Sequence, residues 1–282
     1  MSGELKELLL SNNVAPKVSL AALPGFCLPS DFDSVQQAQN RSPIGVEITG
    51  NPANIELVKK GFARVQDQGS QLVTLALITA PVEVVDNIWL DMCSGPGGKA
   101  AILAAASLST GQRFVSNEIS EHRAQLVANA LKPLGDFEVK ISDGRSFGRE
   151  SQKYSRILLD APCTGLGALR RRPESRWRRS TDDLVDLVKL QRELIESAWE
   201  ALEPGGLLAY VTCSPHLSET TGQVSWAEGK FKEQLELVNA NEILNSLNPS
   251  LKLDQSLRTA QLWPQVHGTD AMFLALMRKL VN

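Results

Sequence analysis

No apolar run in the chain approaches the roughly 20 residues a membrane helix needs. The start, Met1-Ser2-Gly3-Glu4, lacks the basic-then-apolar pattern of an export signal. Positive charge is not in excess: 29 Lys and Arg against 32 Asp and Glu leave a net charge of −3, so any nucleic-acid site must be a local patch. Cysteine is scarce. Cys27, Cys93, Cys163 and Cys213 include no C-x-x-C pair, which argues against a zinc site. Without an export signal a disulfide framework is not expected either. The chain reads as a cytoplasmic protein with reduced thiols, no metal and no membrane partner, each cysteine being by default a small buried hydrophobe.

What is present is ordinary globular composition, 43% hydrophobic over 282 residues, enough for one large domain with a small attachment. Residues 17–23 and 44–48 read as short strands around a polar, turn-rich middle, forming a small αβ module over residues 1–53. Residues 54–282 alternate strand and helix. Strands are expected at 87–92, 113–118, 137–141, 156–159 and 207–211, with two more near 235–238 and 271–277. Helices are expected over 99–108, before residue 131, and over 181–202, the last stopped by Glu203-Pro204-Gly205-Gly206. Near-continuous apolar strands separated by helices imply a doubly wound, mostly parallel α/β sheet covered on both faces. Ligands of such sheets bind at the carboxyl ends of the strands, and every unusual residue falls there.

Asp91-Met92-Cys93-Ser94-Gly95-Pro96-Gly97-Gly98-Lys99-Ala100 joins the first strand of this sheet to its helix. A Walker P-loop is excluded, because it needs Gly where Cys93 stands and Ser or Thr where Ala100 stands. Gly95-x-Gly97-x-x-Ala100 fits a dinucleotide fingerprint, so the loop alone does not choose between a nicotinamide cofactor and S-adenosylmethionine. Glu118 ends the next strand, where an acid can accept from both ribose hydroxyls, and Asp143 could reach an adenine amino group. Each acid alone could equally be a helix cap.

Asp160-Ala161-Pro162-Cys163-Thr164-Gly165 ends the fourth strand, and Thr212-Cys213-Ser214-Pro215 ends the fifth. Adjacent strands bring both thiols and Asp160 to one cleft beside the cofactor loop. That arrangement suits chemistry with transient covalent attachment.

On the glycine loop, the Asp160-Ala161-Pro162-Cys163 segment and the Thr212-Cys213-Ser214 segment, the chain resembles the Sun-type (RsmB-like) RNA cytosine-C5 methyltransferase family. Val65-Gln66-Asp67-Gln68-Gly69-Ser70 and Asp270-Ala271-Met272-Phe273 support the resemblance, which covers roughly residues 55–280. It implies a Rossmann-like class I methyltransferase fold, S-adenosylmethionine as cofactor, and RNA as substrate, most simply 16S (small-subunit) ribosomal RNA or a ribosomal subunit precursor. Cys93, Ser94, Gly95, Pro96, Gly97, Gly98 and Lys99, with Glu118, Asp143 and Asp160, would hold the cofactor. Cys213 would be the nucleophile that adds to cytosine C6, Cys163 would assist product release, and Asp160 would serve the N3 edge. The target base must leave its stack to be reached.

Two departures stand out. Where many members carry Glu-Asn-Glu, this chain has Ser218-Glu219-Thr220-Thr221, expected to be only a helix opening with Ser218 as cap. Bacterial ribosomal-RNA members often carry an additional N-terminal helical RNA-binding domain, which these residues do not include.

Arg170, Arg171, Arg172, Arg176, Arg178 and Arg179 follow the Cys163 loop directly, interrupted by one acid and by Trp177. They are expected to pair with RNA phosphates, with Trp177 free to stack on a base. His216 could tune Cys213, while His122 and His267 receive no role. Two rivals remain: an RNA-binding ribosome assembly factor with an idle methyltransferase fold, and a nicotinamide-dependent oxidoreductase, in which the paired cysteines would have no part.

Overall fold

The computed structural model describes residues 2–32 and 40–281, so part of the turn-rich middle expected between the first two strands lies outside the described residues. Strand β1 (Val18–Ala22) is the centre of a three-stranded antiparallel sheet, between β2 (Gly45–Ile48) and β3 (Ala63–Val65). Successive side chains on a strand point to opposite faces. Leu20 and Ala22 accordingly pack with Val46, Ile48, Ala63 and Cys27, while Ala21 joins Leu72 and Val73 in the main core. One strand with two apolar faces thus ties the small sheet to the rest. The sheet reaches past the boundary expected at residue 53. Its third strand is only Ala63-Arg64-Val65, too short and too mixed to announce itself locally.

The main sheet contains β4 (Ile88–Asp91), β5 (Arg113–Asn117), β6 (Glu138–Lys140), β7 (Tyr154–Asp160), β8 (Leu202–Thr212), β9 (Leu235–Val238), β10 (Ala260–Gln261) and β11 (Phe273–Lys279). Its order is β10-β11-β8-β7-β4-β5-β6, with β9 also paired to β11. Neighbours from β6 through β8 run parallel; β11 is antiparallel to β8, and β9 and β10 are antiparallel to β11. The expected doubly wound, mostly parallel α/β architecture is present.

Both faces of the central strands are apolar because both are covered. Leu90, Ile157, Leu159 and Leu208 pack with Leu194, Ile195 and Trp199 of the helix Thr181–Ala201. Trp89, Leu158, Ala209 and Val211 face the helices Gln68–Thr79 and Gly98–Thr110 on the other side. The stretch Glu203-Pro204-Gly205-Gly206 does end the long helix, and is itself the irregular start of β8, whose register against β7 shifts between Tyr154 and Arg156. The chain steps outward from β4 to β6, then returns to β7 and β8 on the other side of β4. This reversal leaves a crevice at the carboxyl ends of β4 and β7. Among the described residues no helix is long and apolar enough to cross a membrane.

Candidate active site

The crevice opens into a cavity of about 620 Å³ whose lining includes Cys93, Gly95, Lys99, Glu118, Asp143, Asp160, Cys163 and Cys213. A larger groove of about 810 Å³ opens behind Pro215 and Leu217, and carries none of the expected site residues.

The glycine loop enters this cavity through left-handed turns, with φ of +55° at Gly95 and +90° at Gly97. A Cβ on Gly97 would stand 2.9 Å from the Ala130 Cβ and 3.1 Å from the Val127 Cα, so glycine lets the helix Gly98–Thr110 begin against the helix Glu121–Leu131. The Ser94 hydroxyl turns inward, to the Asp91 carbonyl at 3.1 Å and the Ser116 hydroxyl at 2.6 Å, and shapes the loop. Pro96 also lines the cavity. Glu118 Oε2 accepts from the Gly95 N–H at 2.9 Å, while its Oε1 accepts from the Ser120 N–H and pairs with Arg123. Asp143 caps the turn after β6 and pairs with Arg145, whose hydrogen bonds hold its carboxyl below the usual carboxylate range. Burial, and then Asp91, Asp160 and Glu118, push the Cys93 thiol far up.

Lys99 Nζ lies 2.7 Å from Asp160 Oδ2. Burial pulls the pKa of this ammonium down, but Asp160, Cys213 and Asp91 more than offset it, and the net shift is upward. Asp91 stands fully buried at the end of β4, with no well-formed hydrogen bond to either carboxylate oxygen. Burial, and then Asp160, push its carboxyl up to about 7 against the weaker pull of Lys99 and the Ser94 hydroxyl.

The sulfurs of Cys163 and Cys213 are 3.4 Å apart, and both cysteines are free. Their mutual hydrogen bond lowers the pKa of Cys213 and raises that of Cys163. Lys99 adds to the lowering at Cys213, opposed by burial, Asp160 and Asp270; burial adds to the rise at Cys163. Gly167 makes the approach of the two loops possible. Its N–H donates to the Cys213 carbonyl at 2.9 Å, its carbonyl accepts from the Ala271 N–H at 2.8 Å, and a Cβ there would lie 2.8 Å from the Cys213 oxygen.

Glu219 was not anticipated. It is fully buried, and its carboxylate accepts from the Thr164 N–H (2.8 Å), the Thr164 hydroxyl (2.6 Å), the Ser214 hydroxyl (2.6 Å) and Gln191 Nε2 (3.1 Å). The same Gln191 amide donates to the Pro162 carbonyl at 2.9 Å. Ser218, expected as a cap, does not cap: His216 Nδ1 accepts from its N–H, and Thr220 precedes the helix Thr221–Phe231. The only local signal was an acid five residues after Ser214, which reads equally well as an exposed helix opening. His216 is exposed and engaged with Ser218.

The arginine run divides. Arg170, with a side chain only 8% exposed, pairs with Asp67 at 2.8 Å and Asp270 at 2.6 Å; Arg171 pairs with the same two acids at 2.9 and 3.0 Å. Expected on RNA, these two instead turn inward to join the Asp67 and Asp270 segments. Their partners lie about a hundred residues away, so local sequence could not show the pairing. Arg172 and Arg179 line the mouth of the cavity, and Arg179 donates to the Thr164 carbonyl at 3.2 Å. Arg176 reaches Asn13 Oδ1 at 2.9 Å. Arg178 is exposed, as is Trp177 at 79%. Cys27 donates to the Phe62 carbonyl within the small core. Among the described residues no group of three or more His, Cys, Asp or Glu is arranged to hold a metal ion.

Comparison with known proteins settles the family. The family described as 16S rRNA methyltransferase RsmB/F matches residues 76–278. The chain belongs to it. Rv1407 of Mycobacterium tuberculosis, a protein named provisionally as a methyltransferase, is 43% identical over 281 residues, which are 99% of this chain and 60% of that protein. Ribosomal RNA small subunit methyltransferase B of Klebsiella pneumoniae is 37% identical over 210 residues, 73% of this chain and 45% of that protein. NSun6 from Pyrococcus horikoshii, solved with SFG, superimposes with a TM-score of 0.66 at 26% identity, covering 83% of this chain and 57% of that one. The chain thus spans about half the length of the curated relatives it matches. Its main sheet is the Rossmann-like sheet of class I methyltransferases.

Proposed function

We propose that this RsmB/F-family protein is an S-adenosylmethionine-dependent RNA cytosine-C5 methyltransferase acting on small-subunit ribosomal RNA. The observation that carries the reading is the thiol pair: two free cysteines 3.4 Å apart on the wall of the cavity that also receives the glycine loop and Asp160. A nicotinamide oxidoreductase has no use for that pair.

The cavity fits the cofactor. Gly95 lines it with nothing within 4 Å of a Cβ placed there, and Glu118 and Asp143 stand at the ends of successive strands where ribose and adenine would need acceptors. NSun6, the structural relative, was solved with SFG, an analogue of S-adenosylmethionine. The cofactor supplies an electrophilic methyl group. The chain must make cytosine C5 nucleophilic enough to take it. Addition of the Cys213 thiolate to C6 does so, pushing the pyrimidine electron pair toward C5, while Asp160, with Lys99 beside it, shares a proton with the N3 edge. Once C5 carries the methyl group, transfer of its proton to the Cys163 thiolate would re-form the double bond and expel Cys213 as the thiolate. The exposed Arg172, Arg178 and Arg179 hold phosphates around the mouth. The small N-terminal module, which Arg176 touches through Asn13, extends that surface.

The test is transfer of labelled methyl from S-adenosylmethionine to unmodified small-subunit ribosomal RNA, followed by nucleoside analysis. Label in 5-methylcytosine is expected. Cofactor binding with no transfer to this RNA, free or in a subunit precursor, would favour the idle-fold assembly factor.

A further inference from the structure

Two thiols at hydrogen-bond distance share protons, and a nucleophile is useful only if the right sulfur ionises. The groups facing the pair come from five elements. Cys163 faces Cys213, Asp160, Tyr210 and Glu219; Cys213 faces Cys163, Asp160, Asp270 and Lys99. Asp160 opposes ionisation of both thiols. Glu219 and Lys99 each act on one of them: Glu219 opposes the anion at Cys163, and Lys99 favours it at Cys213.

The Glu219 carboxylate is bonded to Thr164, the residue after Cys163, through both backbone N–H and hydroxyl, and to Ser214, the residue after Cys213, through the hydroxyl alone. Its own carbonyl accepts from the Tyr210 hydroxyl at 2.8 Å, and Gln191 braces it against Pro162. All four groups at the carboxylate donate to it as they stand, and the Thr164 N–H can do nothing else, so the site favours a carboxylate.

We infer that Glu219 is a positioning residue that fixes the order of ionisation of the thiol pair, its buried negative charge keeping the shared proton on Cys163 while Lys99 favours the anion at Cys213. This deepens the function proposed above and rests on it for the roles of the two cysteines. When the pair ionises, the proton that leaves to solvent is that of Cys213, and the other stays on Cys163, donated toward Cys213. When Cys213 becomes bonded to carbon its negative charge disappears, and with it one of the influences holding the proton on Cys163. Cys163 can then lose its proton to solvent, and its thiolate takes the C5 proton as the C5–C6 double bond re-forms and Cys213 leaves as the thiolate, which restores the starting pair. The order of events follows from where the charges sit.

Alkylation by iodoacetamide tests this without RNA or cofactor, so failure of the methylation assay leaves the result readable. Each cysteine is followed by mass spectrometry between pH 6 and 9. In the wild-type chain Cys213 is expected to react at least tenfold faster than Cys163 at pH 7. Glu219→Gln keeps the shape, because the Thr164 and Ser214 hydroxyls can turn to accept from the new amide, but it removes the charge. It should narrow the ratio at least fivefold, with Cys163 ionising at lower pH. Glu219→Asp, which retains the charge, should keep Cys213 ahead. A Glu219→Gln chain that folds and keeps the wild-type ratio overturns the inference, and so does an equal narrowing in Glu219→Asp. Equal reactivity of the two thiols in the wild-type chain overturns it by itself, whether or not the variants fold.

Discussion

Cys163 and Cys213, fifty residues apart in sequence, meet sulfur to sulfur at 3.4 Å across the carboxyl ends of two adjacent parallel strands. The separation is that of a hydrogen bond and not of a disulfide. Pairing of β7 with β8 brings Asp160 level with Val211, so each cysteine sits just beyond a strand end, on a loop tied by Glu219. The two thiols are therefore held at one point of the cavity but in different electrostatic surroundings.

Different surroundings predict different defects. Cys213→Ala should abolish methyl transfer while S-adenosylmethionine binding, read by calorimetry, stays within a few-fold of wild type. Cys163→Ala should instead accumulate a covalent protein–RNA adduct, seen as a slow band on a denaturing gel. Residual turnover in the first variant would remove Cys213 from the mechanism; normal turnover without adduct in the second would remove Cys163 from release.

The split in the arginine run predicts that stability and RNA affinity come apart. Arg170→Ala leaves Asp67 and Asp270 buried with half of their cationic partners gone, and should cost about 3–5 kcal/mol of stability. It should leave the salt dependence of RNA binding unchanged. The pair Arg172→Ala and Arg178→Ala, both exposed, should do the reverse, reducing the slope of log K against log salt by roughly 0.7 for each RNA phosphate that is no longer neutralised. Equal slopes for wild type and the double variant would leave the strip a solvated loop.

This division also marks what the sequence could disclose. Apolar strands ending in Asp91, Glu118 and Asp160 state the sheet and the edge where a ligand sits, because period, turn and strand-end chemistry are local. The meeting of Cys163 with Cys213 follows once their strands are neighbours. Arg170 reads as a surface cation, because its partners at Asp67 and Asp270 are brought to it only by the folded chain. Glu219 reads as the start of a helix for the same reason: its burial is decided by Thr164, Gln191 and Ser214, none of which is adjacent to it. β3 escapes a local reading because a three-residue strand gains its identity from the partner it pairs with.

Asp91 predicts a pH dependence with a definite sign. Its folded pKa, about 7, lies above the usual carboxylate range, so the folded protein binds a proton that the unfolded chain releases between about pH 4 and 7. Stability from this group is full below that window and falls as pH rises through it, by on the order of 4 kcal/mol. Asp91→Asn removes the ionisation and should gain on wild type steadily from pH 4 to 7, then hold its lead. Urea midpoints for both chains across that range measure the difference. Parallel curves would mean that Asp91 is ionised in the fold at no cost.

Two glycines of one loop should fail in different ways. Gly97 adopts φ +90° and faces Ala130 and Val127 so closely that a methyl group would meet them at 2.9 and 3.1 Å. Gly97→Ala therefore suffers both a left-handed backbone and a clash between helices, a loss of about 2–4 kcal/mol. Gly95 has φ +55° but open space where its Cβ would point. Gly95→Ala should cost only about 1–2 kcal/mol, from the backbone alone. Its methyl group, however, stands in the lining of the cavity, so its affinity for S-adenosylmethionine should fall at least tenfold, measured calorimetrically on the folded variant. Thermal melts without cofactor separate the two: Gly97→Ala should melt several degrees below Gly95→Ala. If the order is reversed, the tight start of the helix Gly98–Thr110 is not what the loop's second glycine provides.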